Sequence, residues 1–470
     1  MAGLSQMPLE ILEDIVHLTV SSGVSGMASQ IASVNPIWQS IVEKTTFQEL
    51  RLRTEYIPTA MRILRNRPER FSLVRRIIFT VVLPVYSAAD CTVVESNSDR
   101  FRNDLVFSKT MTTLITHLGE WPPTGRTLEL QLYAYSPTDE RFLVGSQWSR
   151  YLFGVVPGDL LHNRAYGSTL ELYGRFDKKI PAVTKLTLRD DCERYIAASG
   201  IQRLFHVFPG LRDIDIRLWD FYKHSPDSVR RSTRRRMANA LEQMPSSVGS
   251  MRFHVKYYPP ADQRFKGQRL CGGNVESDPL TVAYRNATQK MTIVDVHGML
   301  GTPELFWPKQ VNEANPAPFW PNLKYMELYY HIIDPSGEWF FEPDAYGTRR
   351  HQADLPLHGL PTGYTPIEDM YPMQNRYTAD QNKMDDFYLA VAKAVTNMPK
   401  LQHLRLQALT YWNGQVSPFH VFKFTADQRV GRAIWSGSPP FEPGNDVLKA
   451  WHQMAYERGL FLSFESRNTE

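Results

Sequence analysis

One stretch of nine residues sets a pattern that other parts of the chain repeat: Trp320-Pro321-Asn322-Leu323-Lys324-Tyr325-Met326-Glu327-Leu328. Its proline ends a preceding helix, because the residue before a proline is disfavoured in the helical conformation. The apolar residues Met326 and Leu328 then alternate with polar ones, as they do on a strand with one buried face. The stretch therefore predicts a unit in which a helix is followed by a half-buried strand.

The form apolar-Pro-x-Leu-x-x-Leu-x-Leu recurs elsewhere in the chain. Clear copies begin at Phe208 and Met398, and weaker copies begin at Ile180 and Met244. Amphipathic helices are predicted before several of them. Because each copy places its strand at the same position in the motif, the copies predict parallel strands that lie side by side in a single sheet. The residues expected to point into one continuous core are Ile214, Ile216, Met326, Leu328, Leu404 and Leu406.

This alternation of strand and helix is typical of leucine-rich repeats, in which each unit buries its apolar face only against its neighbours. The prolines of the copies are unevenly spaced, unlike a regular repeat of ~20–29 residues. We therefore expect an α/β (α+β) fold in which residues 51–410 form an irregular solenoid, with a long insertion over residues 334–379. Residues 411–470 are predicted to form a strand-helix-strand cap over the last apolar face.

The N-terminal residues 1–50 are predicted to form a separate unit of three short helices. Apolar residues recur at helical spacing after Pro8 and again after Pro36. So small a unit exposes too much apolar surface to be stable alone, so it needs a partner, either the rest of the chain or another protein. Residues 1–50 hold five acidic side chains and one lysine, a balance of −4, whereas residues 51–82 hold eight arginines and two glutamates, a balance of +6. This shift marks a boundary near residue 50.

The N-terminal unit resembles an F-box, the helical module by which substrate receptors dock on the Skp adaptor of cullin-based ubiquitin ligases. The resemblance is carried by Met7-Pro8-Leu9-Glu10-Ile11-Leu12 with Ile15-Val16, and by Val34-Asn35-Pro36-Ile37-Trp38. It covers residues 1–50 of the 470. The chain departs from the family in having Met7 where Leu is frequent, a longer first loop, and no basic residue near Pro36. The whole chain resembles the F-box proteins of filamentous fungi.

The resemblance implies a substrate-recognition subunit of a Skp-cullin-F-box ubiquitin ligase, which does no bond chemistry itself. The implied partners are a Skp-type adaptor, through it a cullin, and a target protein held by the repeat body. The implied adaptor-binding residues are Pro8, Leu9, Ile11, Leu12, Ile15, Val16, Val34 and Trp38. The alternative is a helical cap packed on its own domain. The chain would then be a non-catalytic protein–protein interaction scaffold without adaptor binding.

The aromatic residues Trp339, Phe340 and Phe341 are a candidate target-binding site. They follow a Pro-Ser-Gly turn in the predicted insertion. Exposed aromatic side chains on a loop would anchor a partner, since Trp and Tyr dominate binding hot spots. Packing in the core is the alternative for about half of the aromatic residues in the C-terminal part of the chain.

One dense basic run lies on a predicted helix. Its arginines are Arg230, Arg231, Arg234, Arg235 and Arg236. Like charges at i,i+4 share a helix face and repel each other, which an exposed helix tolerates. A solvated face is therefore the first interpretation, and a nuclear import signal or an anion-binding patch is the alternative.

Composition excludes several classes of protein. A hydrophobic content of 42% and a charged content of 22% are ordinary for a globular chain. No apolar run approaches the ~20 residues that span a bilayer, and no basic residue precedes Lys44 to form the start of a signal peptide. We therefore expect a cytoplasmic or nuclear location and no membrane partner. A net charge of +4 is too small to indicate nucleic acid.

Sequence motifs for catalysis and cofactor binding are absent. The chain has no P-loop, dinucleotide-binding glycine motif, nucleophile elbow or His-Glu-x-x-His zinc motif. Its three cysteines lie far apart, and its thirteen histidines show no paired spacing. The acidic residues 190–193 could hold a metal, but acids are also favoured in a first helical turn. We therefore predict no catalytic residues, metal or cofactor, although carboxylate pairs can assemble from distant positions.

Overall fold

The computed structural model describes most of the chain. The described residues are 9–21, 27–87, 90, 95–122, 125, 127–138, 169–188, 194–220, 227–256, 267, 269–271, 277–313, 315–343, 376–409, 411–412, 415–416 and 420–468. They contain eleven α-helices and a large, mostly parallel sheet. The predicted α/β class is confirmed at this level.

The helices begin with three short ones in the N-terminal segment. Short 3₁₀ turns also occur at Thr54–Tyr56 and Pro68–Ser72. The helices are α1 (Leu9–Ser21), α2 (Met27–Ala32), α3 (Pro36–Thr46), α4 (Ile57–Arg65), α5 (Asn97–Leu118), α6 (Ala198–Val207), α7 (Asp227–Glu242), α8 (Pro279–Thr288), α9 (Pro303–Phe306), α10 (Gln381–Thr396) and α11 (Asn445–Arg458).

Strands alternate with these helices along the chain. They are β1 (Glu49–Arg53), β2 (Arg76–Val82), β3 (Leu128–Tyr135), β4 (Thr169–Leu170), β5 (Val183–Leu188), β6 (Tyr195–Ile196), β7 (Asp213–Trp219), β8 (Ser250–Lys256), β9 (Ile293–Gly298), β10 (Tyr325–His331), β11 (Phe341–Pro343), β12 (Arg376–Ala379), β13 (His403–Leu409), β14 (Tyr411–Trp412), β15 (Gln415–Val416), β16 (His420–Asp427), β17 (Val430–Gly437) and β18 (Phe461–Asn468).

Within the described residues, twelve strands form one open sheet whose order follows the chain. The order is β1-β2-β3-β5-β7-β8-β9-β10-β13-β16-β17-β18, and β1 and β18 lie at its edges. Neighbours run parallel except at β16, which is antiparallel to both β13 and β17. Parallel neighbours need a crossover connection, and a described helix provides it between most successive parallel strands, for example α6 between β5 and β7. The remaining short strands pair outside this sheet.

One face of the sheet is apolar and packs against the helices. The six positions predicted for the core, from Ile214 to Leu406, are all buried in one cluster. Fully burying a side chain of this size contributes roughly 1.5–3 kcal/mol. The prediction of parallel strands with one shared core is confirmed, because β7, β10 and β13 lie in the same sheet and run in the same direction.

The C-terminal segment extends the sheet and does not cover its end. Its predicted strands and helix are present as β16, β17, α11 and β18. However, β16 pairs with β13, and β18 pairs with β17 beyond it. The open edge of β13 explains this difference, because unpaired backbone groups on an edge strand recruit another strand. The strands and helix predicted for the C-terminal cap are therefore present, as a continuation of the sheet beyond β13.

Candidate functional site

The N-terminal helices enclose a small core of their own. Leu12 and Val16 on α1 pack against Ile41 and Val42 on α3, in a cluster separate from the main core. Asn35 begins α3 by accepting hydrogen bonds from two backbone N–H groups of its first turn. Leu12 and Val16 were predicted to contact an adaptor, but they are only 5% and 0% exposed. They are therefore core residues of this unit, which we call the N-terminal module (residues 9–46).

The apolar surface of the module comes from other side chains. Ile11 is 46% exposed and Val34 is 63% exposed, as adaptor-contacting residues should be, while Ile15 and Trp38 are half-buried. Sequence reasoning missed two further positions, which are Leu18 at 72% and Ile37 at 57% exposure. Leu18 follows Ile11 by seven positions on one helix face, which was the signal for it. Pro8 lies outside the described residues, as does the side chain of Leu9.

An ion pair joins the module to the rest of the chain. Arg70 donates a hydrogen bond from Nε to Glu43 Oε2 at 3.0 Å and a second one from Nη2 to Oε1. The Arg70 guanidinium also lies 5.1 Å from the centre of the Phe47 ring. Hydrogen bonding to Arg70 holds the pKa of Glu43 below its usual value, against the opposing effect of burial. These contacts fix the module on the body of the protein.

The aromatic trio of the predicted insertion is buried, so its assignment as an exposed anchor is wrong. Trp339, Phe340 and Phe341 are 6%, 3% and 1% exposed. Phe340 packs edge-on against Tyr330, with ring centres 5.5 Å apart. Trp339 forms a bridge with Ile333, and Phe341 begins β11, which pairs with β12. Residues 344–375 between β11 and β12 lie outside the described part of the chain, and their length hides this pairing in the sequence.

The basic run divides between the two faces of α7. Arg230 and Arg234 are fully buried, so a solvated face is the wrong interpretation for them. Arg234 donates hydrogen bonds to Asp278 at 2.8 and 2.6 Å and to Asp220 at 2.7 Å, while Arg230 pairs with Asp220 at 3.3 Å. These two carboxylates offset the repulsion between the arginines.

The pKa values of Arg234 and Asp278 are set by the ion pairs that these buried side chains form. Burial alone would raise the pKa of Asp278, but the charge and hydrogen bonds of Arg234 outweigh it and hold the pKa below its usual value. Burial likewise opposes the charge on Arg234, and the two aspartates raise its pKa above the ordinary arginine value. Arg234 and Asp278 therefore stay ionised at neutral pH.

The rest of the basic run is accessible. Arg231 is half-buried and donates a hydrogen bond to the Arg269 carbonyl oxygen at 3.1 Å, and Arg235 and Arg236 are exposed. Only these three arginines stay available for an anion or an import receptor. The acidic residues 190–193, the other charged cluster singled out in the sequence, lie outside the described part of the chain.

The second face of the sheet carries polar side chains in register across many strands. We call it the polar face, and its principal residues are Arg76, Glu129, Lys185, Asp215, Arg252, His254, Asp295, His297, Tyr325, Glu327, Tyr329, His403 and Arg405. Oppositely charged neighbours pair across it. Arg252 Nε lies 2.8 Å from Asp295 Oδ2, and Arg76 and Lys185 lie 3.1 and 3.3 Å from Glu129. Cross-strand pairs of opposite charge stabilise a sheet.

Rings are stacked across the middle of the polar face. The register places His254, His297 and Tyr329 directly opposite one another on β8, β9 and β10. Their ring centres are 4.0 and 4.1 Å apart, with the planes within 22° of parallel. Neighbouring strands lie ~4.8 Å apart, so flat side chains at opposed positions stack. A second pair, Tyr325 and His403, stacks at 4.6 Å.

The glycine after His297 lets β9 approach β8 closely. Gly298 has a φ of 134°, a backbone conformation that other residues rarely adopt. A Cβ atom at this position would lie 2.4 Å from the Val255 carbonyl oxygen. Glycine is therefore required where His297 meets His254.

His254, Asp295 and His297 form a cluster of metal-ligand side chains. Their donor atoms all lie within 4.8 Å of one another, and His297 Nε2 is 3.0 Å from Asp295 Oδ1. Burial, together with the charges of His297 and Arg217, lowers the pKa of His254 to about 3, so its ring is neutral near pH 7. Burial would raise the pKa of Asp295, but contacts with His297 and Arg252 lower it. The cluster can hold a cation.

Sequence reasoning missed this cluster. His254 and His297 are 43 positions apart, and only the pairing of β8 with β9 brings them together. The available signal was Asp295-x-His297, which puts two potential ligands on one side of a strand. The prediction of no metal site rested on the spacing of potential ligands along the chain. That spacing does not show which residues of neighbouring strands lie side by side.

Comparison with models of protein families gives a match in the C-terminal part of the chain. Residues 373–470 match a family described as "Family of unknown function (DUF6546)". The matched residues include β12 to β18 together with α10 and α11. They therefore contain the last helix and strand of the parallel series, α10 and β13, and the strands that follow. No curated protein matches the chain. In the described part of the chain, no helix is both long and apolar enough to cross a bilayer.

Proposed function

We propose that this protein is the substrate-recognition subunit of a Skp-cullin-F-box type ubiquitin ligase. The N-terminal module binds a Skp-type adaptor and, through it, a cullin, while the body of the protein holds a target protein. The subunit does no bond chemistry itself and acts by raising the effective concentration of target near the ligase. It acts in the cytoplasm, the nucleus or both.

The exposed apolar surface of the module supports adaptor binding. A module with its own small core still leaves Ile11, Leu18, Val34 and Ile37 largely exposed. Burying such a side chain against a partner contributes roughly 1.5–3 kcal/mol. This observation carries the proposal. It also moves the adaptor-binding surface from Leu12 and Val16 to these four side chains.

The sheet supports the repeat architecture that an F-box receptor of this type would have. Parallel strands follow one another in chain order from β1 to β13. Each buries alternate residues on the helix-covered side and presents polar ones on the other. We propose that these units form an irregular leucine-rich-repeat-like solenoid, which presents the polar face to a target.

The polar face replaces the aromatic trio as the proposed target-binding surface. Tyr325, Tyr329 and Arg405 belong to the residue types that dominate binding hot spots. Arg405 lies 5.7 Å from the centre of the Tyr329 ring, and Glu327 accepts a hydrogen bond from the Tyr329 hydroxyl at 3.0 Å. Rigid rings held by their neighbours offer contact area at a low entropic cost.

Co-purification with the adaptor tests the proposal. We expect the intact chain to retain a matching Skp-type adaptor, and Leu18→Asp with Ile37→Asp to lose it. The control is Tyr456→Asp, which places one negative charge on a residue 83% exposed on α11, far along the chain from the module. Equal thermal unfolding of the variants shows that folding is unaffected. If the intact chain retains no adaptor, the protein is a scaffold, with its module fixed to the body by Glu43 and Arg70.

Target binding is tested separately. We expect Tyr325→Ala with Arg405→Ala to lose proteins that co-purify from the native organism while the adaptor is retained. An unchanged set of co-purifying proteins would rule out the polar face as the target-binding surface.

A further inference from the structure

We propose that His254, Asp295 and His297 bind one divalent transition-metal ion of the zinc type on the polar face. The inference rests on the geometry of these three side chains and does not depend on the ligase function. It assigns a metal to a chain whose sequence carries no metal-binding motif.

The sheet itself brings the three ligands together. Asp295 and His297 are two positions apart on β9, so both side chains point to the polar face. His254 lies opposite His297 in the register of β8. Zinc holds its ligands at ~2.0–2.1 Å, which puts tetrahedral donors about 3.3 Å apart. His297 Nε2 and Asp295 Oδ1 are already 3.0 Å apart, and rotation of the His254 side chain within the 4.8 Å cluster brings in the third donor.

One of the donor atoms has a lone pair that no hydrogen bond uses. Among the described residues, His254 Nε2 is buried and lacks a hydrogen-bond partner. A buried polar atom without a partner destabilises the folded state. Coordination of a metal ion beside Asp295 Oδ1, which lies 3.0 Å from His297 Nε2, would supply His254 Nε2 with a partner.

Neighbouring side chains orient the ligands. Arg252 donates a hydrogen bond to Asp295 Oδ2 at 2.8 Å, which leaves Oδ1 for the metal. The ring of Tyr329 stacks on His297 and holds its plane. Such outer contacts fix the ligands of metal sites in general. The positive charge of Arg252 repels a metal cation and so weakens its binding. We therefore expect a chelator to remove the metal ion from the protein.

The ligand types select the class of metal. Two imidazoles and one carboxylate suit zinc and other first-row transition metals, whereas calcium and magnesium prefer oxygen ligands throughout. Three protein ligands leave a fourth position for water or for a side chain of a bound protein. The ion would therefore sit on the same face that we propose for target binding.

Metal titration of the full-length, tag-free protein tests the inference. After treatment with a chelator, we expect one Co²⁺ per chain with the visible absorption of a tetrahedral site, and displacement by Zn²⁺. We expect His297→Ala to abolish this absorption and Asp295→Asn, which keeps the shape of the side chain, to weaken Zn²⁺ binding at least tenfold. The matched control is His403→Ala. His403 stacks on Tyr325 as His297 stacks on Tyr329, but it lies outside the cluster.

Thermal unfolding provides a second readout. Zn²⁺ should raise the unfolding temperature of the intact chain and of the His403→Ala variant, and should raise that of Asp295→Asn by less at the same concentration. The inference is overturned if the intact chain takes up no ion, or if Asp295→Asn binds one ion with unchanged affinity. Loss of metal binding in the His403→Ala variant would also contradict it. Adaptor binding is measured on the same samples and is expected to be independent of the metal.

Discussion

Replacing Arg234 with methionine should destabilise the protein strongly. Arg234 is fully buried and donates hydrogen bonds to Asp278, Asp220 and the Met299 carbonyl oxygen. Methionine fills much of the same space but leaves Asp278 as a buried charge without its main partner. Removing one member of a buried ion pair costs about 3–5 kcal/mol. We therefore expect Arg234→Met to lower the free energy of unfolding by about this amount.

Urea unfolding of matched variants measures this cost. Arg235→Met makes the same substitution one position along α7, at an exposed side chain, and should change the free energy of unfolding by less than about 0.5 kcal/mol. Adding Asp278→Asn to Arg234→Met removes the stranded charge while keeping an acceptor for the Thr281 N–H group. The double variant should recover roughly 1–3 kcal/mol, as coupled neighbours do. Equal stability of Arg234→Met and Arg235→Met would refute the argument.

The same network predicts how this difference depends on pH. In the intact chain, the pKa of Asp278 is lowered by Arg234. Its contribution to stability is therefore present above the unfolded value of ~3.9 and is lost as the pH falls through the folded value. In the Arg234→Met variant, burial without a partner raises the pKa of Asp278. Protonation of Asp278 then removes the unpaired buried charge, and the variant becomes more stable. We expect the stability gap between the two proteins to narrow as the pH falls from 7 towards about 4, and a constant gap would contradict the pairing.

Three further predictions follow from burial and pairing. Leu404→Asp should unfold the C-terminal part of the sheet, measured by hydrogen exchange of β13, because it buries an unpaired charge among apolar neighbours. Trp339→Ala should cost about 3–5 kcal/mol in urea unfolding, as a core tryptophan does, and an unchanged midpoint would argue against its burial. Glu43→Gln should loosen the N-terminal module, seen as faster proteolysis near residue 47, because it weakens the pairing with Arg70. That pairing lowers the pKa of Glu43, so acidification should loosen the intact module in the same way.

Local sequence patterns predicted the sheet and its core well. The alternation in Met326-Glu327-Leu328 requires one buried face whatever the neighbouring strand is. The helices predicted before several copies of the motif are present, as α6 before Phe208, α7 before Met244 and α10 before Met398. In each case the signal lies within ten or so neighbouring residues, where periodicity and proline act.

Features that depend on distant partners were not predicted. Arg234 is fully buried only because Asp220 and Asp278 come from other elements. Phe340 packs against Phe387, which lies on α10 and is 47 positions away in the chain. His254 meets His297 through the register of two strands. A dense run of arginines and a run of aromatic residues therefore indicated exposed surfaces. In the structure, residues from distant parts of the chain cover several of these side chains.

Titration of a purified Skp-type adaptor into the full-length protein tests the proposed function most directly. We expect a one-to-one complex for the intact chain and for Tyr456→Asp. The affinity should fall by at least about tenfold, or 1.4 kcal/mol, when Leu18→Asp and Ile37→Asp are introduced together. Absence of binding by the intact chain, or equal affinity of the double variant, would contradict the assignment of the N-terminal module as the adaptor-binding surface.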